Sequence, residues 1–113
     1  SGLIDDSRFT REYVNSRIEF KQLGPHRLRH DLKKYGVSAA IVDEALHEAF
    51  VEGRQEALAW KIVRKKLGGR RAGDKEIRRV VDLLKRRGLD YEIINHVAYE
   101  LLSRGGHDPY REE

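Results

Sequence analysis

Two histidines and two aspartates have the residue types and spacing that could support chemistry. His26 and His30 lie four positions apart, the spacing at which two imidazoles on one helix face can share a metal ion. No His-Glu-x-x-His motif, cysteine or third ligand accompanies them, so we expect a surface pair without a metal. Asp5 and Asp6 are adjacent carboxylates, but they precede a predicted helix, whose N-terminus favours acidic groups. We therefore interpret them as capping residues.

The sequence contains no motif for catalysis or nucleotide binding. The loop GGRRAG (68–73) lacks the GK(S/T) ending that a phosphate-binding loop requires. His47 and His96 fall in predicted helices, where solvated or partly buried positions explain them more simply than catalysis does. We expect no enzymatic activity and no cofactor.

Basic residues are the remaining candidates for a functional site, and they are unevenly distributed. Residues 61–87 contain twelve Lys or Arg against three Asp or Glu, whereas the whole chain has a net charge of +4. This excess favours binding to polyanions or acidic protein surfaces, although a solvated helix surface can have the same composition. Basic residues near predicted helix C-termini also complement the helix dipole, which explains several of them without a partner.

Arg70 and Arg71 differ from these helical residues because they lie between glycines in a loop. No helix dipole explains them there, so we predict a functional role for both. The main predicted contacts are Arg70, Arg71, Lys65, Lys66, Arg78, Arg86 and Arg87, and a second group is Arg27, Lys33 and Lys34. The single tryptophan, Trp60, has two interpretations: it packs between repeats, or it anchors a protein partner.

The elements that position these residues follow a pattern that occurs twice. LKKYGVSAAIVDEAL (32–46) and LKRRGLDYEIINHVA (84–98) each contain a helix end, a glycine stop, an aliphatic residue and a Ser or Asp cap. Apolar residues at helical spacing indicate a further helix ahead of each pair. We predict helices at residues 6–21, 25–35, 38–51, 54–67, 75–87 and 90–103.

The pattern predicts an all-α fold of tandem three-helix repeats that form an elongated, curved helical array. The predicted repeats are residues 3–52 and 53–103, and the tail, 104–113, is expected to be disordered. Helices of this length are marginal alone, so stability must come from packing within and between repeats. Gly53 is the only glycine in residues 38–67, so we expect the third and fourth helices to be nearly continuous with a kink there.

Three details of these helices are also predicted. Asp74 is expected to cap the fifth helix, while Tyr35 and Leu102 are expected on the buried faces of their helices.

No signal peptide or transmembrane stretch is visible in the sequence, and a cytoplasmic location is the default expectation.

The sequence resembles the RecX family of regulatory proteins over residues 3–103. The opening LIDDSRF (3–9), the second helix GPHRLR (24–29) and the turn LKKYGV (32–37) resemble the middle repeat of that family. VRKKLGG (63–69) and LLKRRGLDYEII (83–94) resemble its last repeat. Family members usually have three such repeats, so the resemblance implies that the first repeat is absent here, which leaves open whether inhibition is as strong as in a complete member.

The resemblance implies a negative regulator of the RecA recombinase. Such a protein binds the RecA filament on single-stranded DNA in its groove and inhibits filament growth, ATPase, strand exchange and co-protease activity. A monomeric, elongated chain can meet successive subunits of a helical partner and accumulate several weak contacts. The basic residues would then contact RecA or the DNA backbone, and the sequence leaves both open.

Two other functions remain open from the sequence. A non-specific nucleic-acid-binding helical module would use the same basic residues without a RecA target. A structural helical-repeat scaffold would use none of them. Sequence-specific reading by a helix-turn-helix is disfavoured, because the third helix of each repeat begins with acidic or apolar residues. Neither alternative explains the Asp-Asp-x-Arg-Phe and Gly-Pro-x-Arg motifs, which favour the RecA regulator.

Overall fold

The structure, a computed structural model, describes residues 5–107. These residues form six α-helices without a β-strand, which confirms the predicted all-α fold class. None of the six is long and apolar enough to span a membrane. Each predicted helix end lies within two residues of the observed one. In chain order the helices are α1 (Asp6–Lys21), α2 (Pro25–Lys34), α3 (Ala39–Ala49), α4 (Arg54–Leu67), α5 (Asp74–Arg87) and α6 (Tyr91–Ser103).

Side chains cap two of the predicted helix starts. The carboxylate of Asp5 and the hydroxyl of Ser38 each accept a hydrogen bond from the amide three residues later, at 3.0 and 3.4 Å. The predicted cap at Asp74 is wrong, because Gly73 is the N-cap residue and Asp74 is the first residue of α5. Its charge still complements the positive end of the helix.

The helices pack as two groups of three. In the N-terminal trio (α1–α3), α1 and α2 both pack on α3; in the C-terminal trio (α4–α6), α4 and α5 both pack on α6. Helices α2 and α5 contact each other between the trios. The molecule is more than twice as long as it is wide, as expected for an elongated array. The predicted first repeat begins at residue 3, which lies outside the described residues.

A single cluster of buried apolar residues runs through both trios. Leu28 and Leu32 of α2 and Val80 and Leu84 of α5 are completely buried. Burying one such side chain is worth about 1.5–3 kcal/mol, so packing stabilises these short helices far more than their intrinsic propensity does. Trp60 is 1% exposed and belongs to this core, which excludes the interpretation as a surface anchor.

Two residues predicted on buried faces are exposed instead. Tyr35 is 60% exposed because α2 ends one residue before it, and its ring meets those of Phe9 and Tyr13 on the surface. Leu102 is 59% exposed, although its neighbour Leu101 is completely buried. The two side chains lie about 100° apart around α6, and only Leu101 faces the core.

The connection between α3 and α4 differs from the nearly continuous helix that we predicted. Helix α3 ends at Ala49, and residues 50–53 form a turn before α4 begins at Arg54. Gly53 has a φ of +82°, a left-handed conformation that cannot continue a right-handed helix. The glycine therefore separates the two trios rather than kinking one long helix.

The segment after α6 is ordered as far as the structure describes it. The amide of Gly106 donates to the Leu101 carbonyl at 2.6 Å, and the Gly106 carbonyl accepts from the Ala72 amide at 3.0 Å. Residues 104–107 therefore differ from the expected disordered tail, because these bonds hold them against the loop between α4 and α5. The rest of that predicted tail, residues 108–113, lies outside the described residues.

Candidate functional site

The joint between the trios is formed by the start of α2 and the end of α5. The amide of Gly24 donates to the Arg87 carbonyl at 2.6 Å, and the amide of His26 donates to the Gly88 carbonyl at 2.9 Å. The first amides and last carbonyls of a helix have no partner within that helix. The two helix ends satisfy each other, and their opposite dipole ends attract.

Two glycines make this close approach possible. A Cβ on Gly24 would lie 2.6 Å from the carbonyl carbon of Gly88, and a Cβ on Gly88 would lie 2.2 Å from the backbone nitrogen of Arg27. Gly88 also has a φ of +83°, which a side chain disfavours. By contrast, a Cβ on Gly36, the repeat counterpart of Gly88, would meet no atom of the described residues within 4 Å. The second copy of the repeated motif therefore carries the joint.

A side-chain network extends the joint to α4 and α6. Asp90, the N-cap residue of α6, accepts a hydrogen bond from the amide nitrogen of the Gln55 side chain at 2.9 Å, and its other carboxylate oxygen lies 2.6 Å from His26 Nε2. Its own backbone amide donates to the Gln55 side-chain oxygen at 2.6 Å. His26 therefore links the two trios, whereas the sequence had predicted only a surface pair of histidines.

A basic cleft of about 550 Å³ opens beside this joint. Its lining includes Leu23 and Leu83 and residues from the end of α1, the start of α2 and the end of α5. Asp31 is the one acidic residue among the described residues that line it. The five cationic residues of the cleft are Arg17, Lys21, Arg27, Arg86 and Arg87.

Several contacts fix the arginines of the cleft. Arg27 Nε donates to the Asp31 carboxylate at 3.2 Å, and Arg87 Nη1 donates to the Lys21 carbonyl at 3.1 Å across the joint. The Arg17 guanidinium lies 4.6 Å from the centre of the Tyr13 ring, within cation–π distance. The cleft is therefore largely pre-formed and, with one carboxylate against five cations, strongly positive.

The structure brings together three of the ten predicted contact residues: Arg27, Arg86 and Arg87. Sequence reasoning missed Arg17 and Lys21, which belong to α1, where acidic residues balance the local charge. A search for runs of charged residues could not group residues that lie about 65 positions apart in the sequence. No local sequence signal would have grouped them, because their proximity depends on how the two repeats dock.

The premise that Arg70 and Arg71 have no structural role is wrong, whereas their contact with a partner stays a prediction. Arg70 Nε donates to the Leu67 carbonyl at 2.8 Å, which closes the end of α4. Arg71 Nε donates to the Gly105 carbonyl and so ties this loop to the end of α6. Both arginines therefore have structural partners, and neither lines the cleft.

The other predicted contacts lie elsewhere on the surface. Lys65 and Lys66 are exposed in the last turn of α4, and Arg78 is exposed on α5. Lys33 and Lys34 are exposed in the last turn of α2. These five residues do not line the cleft. Their contact with a partner stays a prediction.

The remaining histidines do not form a metal site within the described residues. His96 Nε2 lies 2.9 Å from a carboxylate oxygen of Glu56, which links α6 to α4. Across residues 5–107, no group of three or more His, Cys, Asp or Glu side chains is arranged to hold a metal ion.

The structure is thus an all-α array of two docked helix trios with a basic cleft at their joint. Residues 5–46 match the family model described as RecX, second three-helix domain. The chain is 32% identical over 109 residues to the regulatory protein RecX of Streptomyces coelicolor, an alignment that covers 95% of this chain and 57% of the relative. The chain belongs to the RecX family.

Two further relatives support this membership. The regulatory protein RecX of Halorhodospira halophila is 34% identical over 98 residues, which cover 86% of this chain and 59% of the relative. That of Mycolicibacterium vanbaalenii is 35% identical over 95 residues, which cover 77% of this chain and 51% of the relative. The chain thus spans little more than half the length of these relatives. No solved structure matches it significantly.

Proposed function

We propose that the chain is a negative regulator of the RecA recombinase. It binds the RecA filament on single-stranded DNA in the filament groove and inhibits filament growth, ATPase, strand exchange and co-protease activity. The observation that carries this proposal is membership of the RecX family, whose curated relatives are named as regulatory proteins. The protein acts in the cytoplasm as a monomer and without a cofactor.

The architecture supports a partner with helical repetition. The two repeats, residues 3–52 and 53–103, would each meet a different RecA subunit, so that several weak contacts add to one stable complex. The joint holds the trios in one arrangement through bonds between helix ends, which reduces the entropy lost on binding. The predicted contacts on the second repeat, including Lys65 and Lys66, extend the basic surface beyond the cleft.

A second function, non-specific nucleic-acid binding without a RecA target, is favoured by one observation. Five cations converge on a cleft with one carboxylate, and such a site attracts a phosphate backbone whether or not RecA is present. This module would slow RecA only by occupying DNA before RecA does.

The order of addition distinguishes the two functions. RecA's DNA-dependent ATP hydrolysis is measured with the chain added either to preformed filaments or to DNA before RecA. A filament regulator slows hydrolysis in both orders at near-stoichiometric ratios to RecA, whereas a DNA competitor acts mainly when it is added first. Undiminished hydrolysis in both orders, together with no co-sedimentation with filaments, would contradict the RecA proposal.

The contact residues are tested in the same assay. The double variant Lys65→Glu/Lys66→Glu is expected to weaken inhibition if the second repeat contacts the filament. Arg70→Glu/Arg71→Glu needs a folding control by circular dichroism, because both arginines hold backbone carbonyls in place. Inhibition equal to that of the parent chain in both variants would place the contact elsewhere.

A further inference from the structure

We propose that the basic cleft between the trios binds single-stranded nucleic acid directly, with Phe20, the neighbour of the cleft residue Lys21 on α1, as a stacking platform for a base. The proposal deepens the function proposed above, since it assigns the DNA of the filament, rather than RecA, to this particular surface. It also applies to free nucleic acid, so it can be tested without RecA.

The lining of the cleft fits phosphate groups. Four of its five cations are arginines, whose planar guanidinium groups donate paired hydrogen bonds to phosphate oxygens. Lys21 and Arg86 are exposed, and their side chains make no hydrogen bond or ion pair within residues 5–107. They are therefore available to a ligand, while Arg27 and Arg87 also hold the joint.

An exposed aromatic residue beside the cations favours a single-stranded nucleic acid as the ligand. Phe20 is 70% exposed and lies one turn after Arg17 on the same side of α1, next to Lys21. Exposing so large an apolar side chain beside cations has no packing benefit. Proteins that bind single strands combine a positive groove with aromatic rings on which bases stack. Poly-glutamate would use the cations but has no ring to stack on Phe20.

The basic surface continues out of the cleft along α5. Arg79 lies two turns before Arg86 on the same side of this helix, about 10 Å away along the axis. Both side chains are exposed. A strand whose base stacks on Phe20 can therefore pass its backbone through the cleft and along α5. The joint is essential to this path, because α1 and α5 belong to different trios.

The experiment measures fluorescence anisotropy of a labelled oligothymidylate of about 20 nucleotides, titrated with the intact chain at about 50 mM salt and above. The cleft variant is Lys21→Glu/Arg86→Glu. Its matched control is Lys61→Glu/Lys75→Glu, which changes the net charge equally at two exposed positions outside the cleft. We expect the cleft variant to lose at least about tenfold in affinity and to reduce the salt slope by about one to two units. The control should lose far less.

The stacking residue has its own pair of variants. Phe20→Ala is expected to weaken binding about tenfold with an unchanged salt slope, because it removes a stacking surface and no charge. Tyr99→Ala, which removes an aromatic residue 64% exposed on α6, should leave binding unchanged. Equal affinities for Phe20→Ala and Tyr99→Ala would overturn the role of Phe20.

Three results would overturn the cleft assignment. The first is that the parent chain does not bind the oligonucleotide, and the second is that the cleft variant and its control lose equal affinity. The third is that poly-glutamate displaces the labelled DNA as well as unlabelled oligothymidylate does at the same charge concentration. The last result would assign the cleft to an acidic protein surface. RecA ATPase assays separate this inference from the proposed function. A cleft variant that loses DNA binding but still inhibits preformed filaments supports the cleft and assigns RecA contact to another surface.

Discussion

Replacing Gly88 by alanine tests whether the joint between the trios holds the array together. The new Cβ would lie 2.2 Å from the backbone nitrogen of Arg27, and relieving this overlap requires the start of α2 to move by roughly 1 Å or more. Such a movement breaks the bonds that Gly24 and His26 donate across the joint, at 2.6 and 2.9 Å. Each is worth about 1 kcal/mol, and the left-handed φ costs alanine about 1–2 kcal/mol more.

We therefore expect Gly88→Ala to reduce the free energy of unfolding by about 3–4 kcal/mol. Gly36→Ala is the matched control, because Gly36 occupies the same place in the repeated motif, with a φ of +74° and open space around it. It should lose only the conformational part, about 1–2 kcal/mol. Gly24→Ala tests the steric overlap without a conformational cost, since the φ of −90° at Gly24 suits alanine.

The assay is urea denaturation followed by far-ultraviolet circular dichroism, with amide hydrogen exchange at His26 as a local probe. Faster exchange of this amide in Gly88→Ala, but not in Gly36→Ala, would mean that the joint opens before the trios unfold. Equal destabilisation by Gly88→Ala and Gly36→Ala, with no effect of Gly24→Ala, would refute the reasoning. The trios would then be held by contacts other than these two backbone hydrogen bonds.

Other variants test the core, the caps and the joint network. Leu84→Ala removes a completely buried side chain and should cost about 2–5 kcal/mol in urea denaturation, whereas Leu102→Ala, at an exposed position, should cost little. Ser38→Ala removes the cap of α3 and should cost about 1 kcal/mol in the same measurement; no loss would show that the cap is dispensable. Gln55→Ala should cost about 1 kcal/mol, because it leaves the Asp90 amide without its partner, and hydrogen exchange at that amide should accelerate.

The helices could be predicted from the sequence because their signals are local. The glycine stops, the Ser38 cap and the apolar stripe of Leu28 and Leu32 lie within a few residues of the structure that they determine. The errors arose where a local pattern had two outcomes. Gly53 could bend a helix or end it, and its left-handed conformation ended it. Leu102 has an apolar side chain like a core residue, but it lies on the solvent side of α6.

The candidate site was less predictable, because it depends on which helix ends meet. The sequence alone determined that the chain is helical, that it contains a repeated motif and that basic residues concentrate in its second half. Only the tertiary structure decided that Arg17 and Lys21 join Arg86 and Arg87 in one cleft. Periodicity and capping act over a few residues, whereas the docking of α5 on α2 depends on the fit of Gly24 against Gly88, 64 residues apart along the chain. No local pattern encodes that contact.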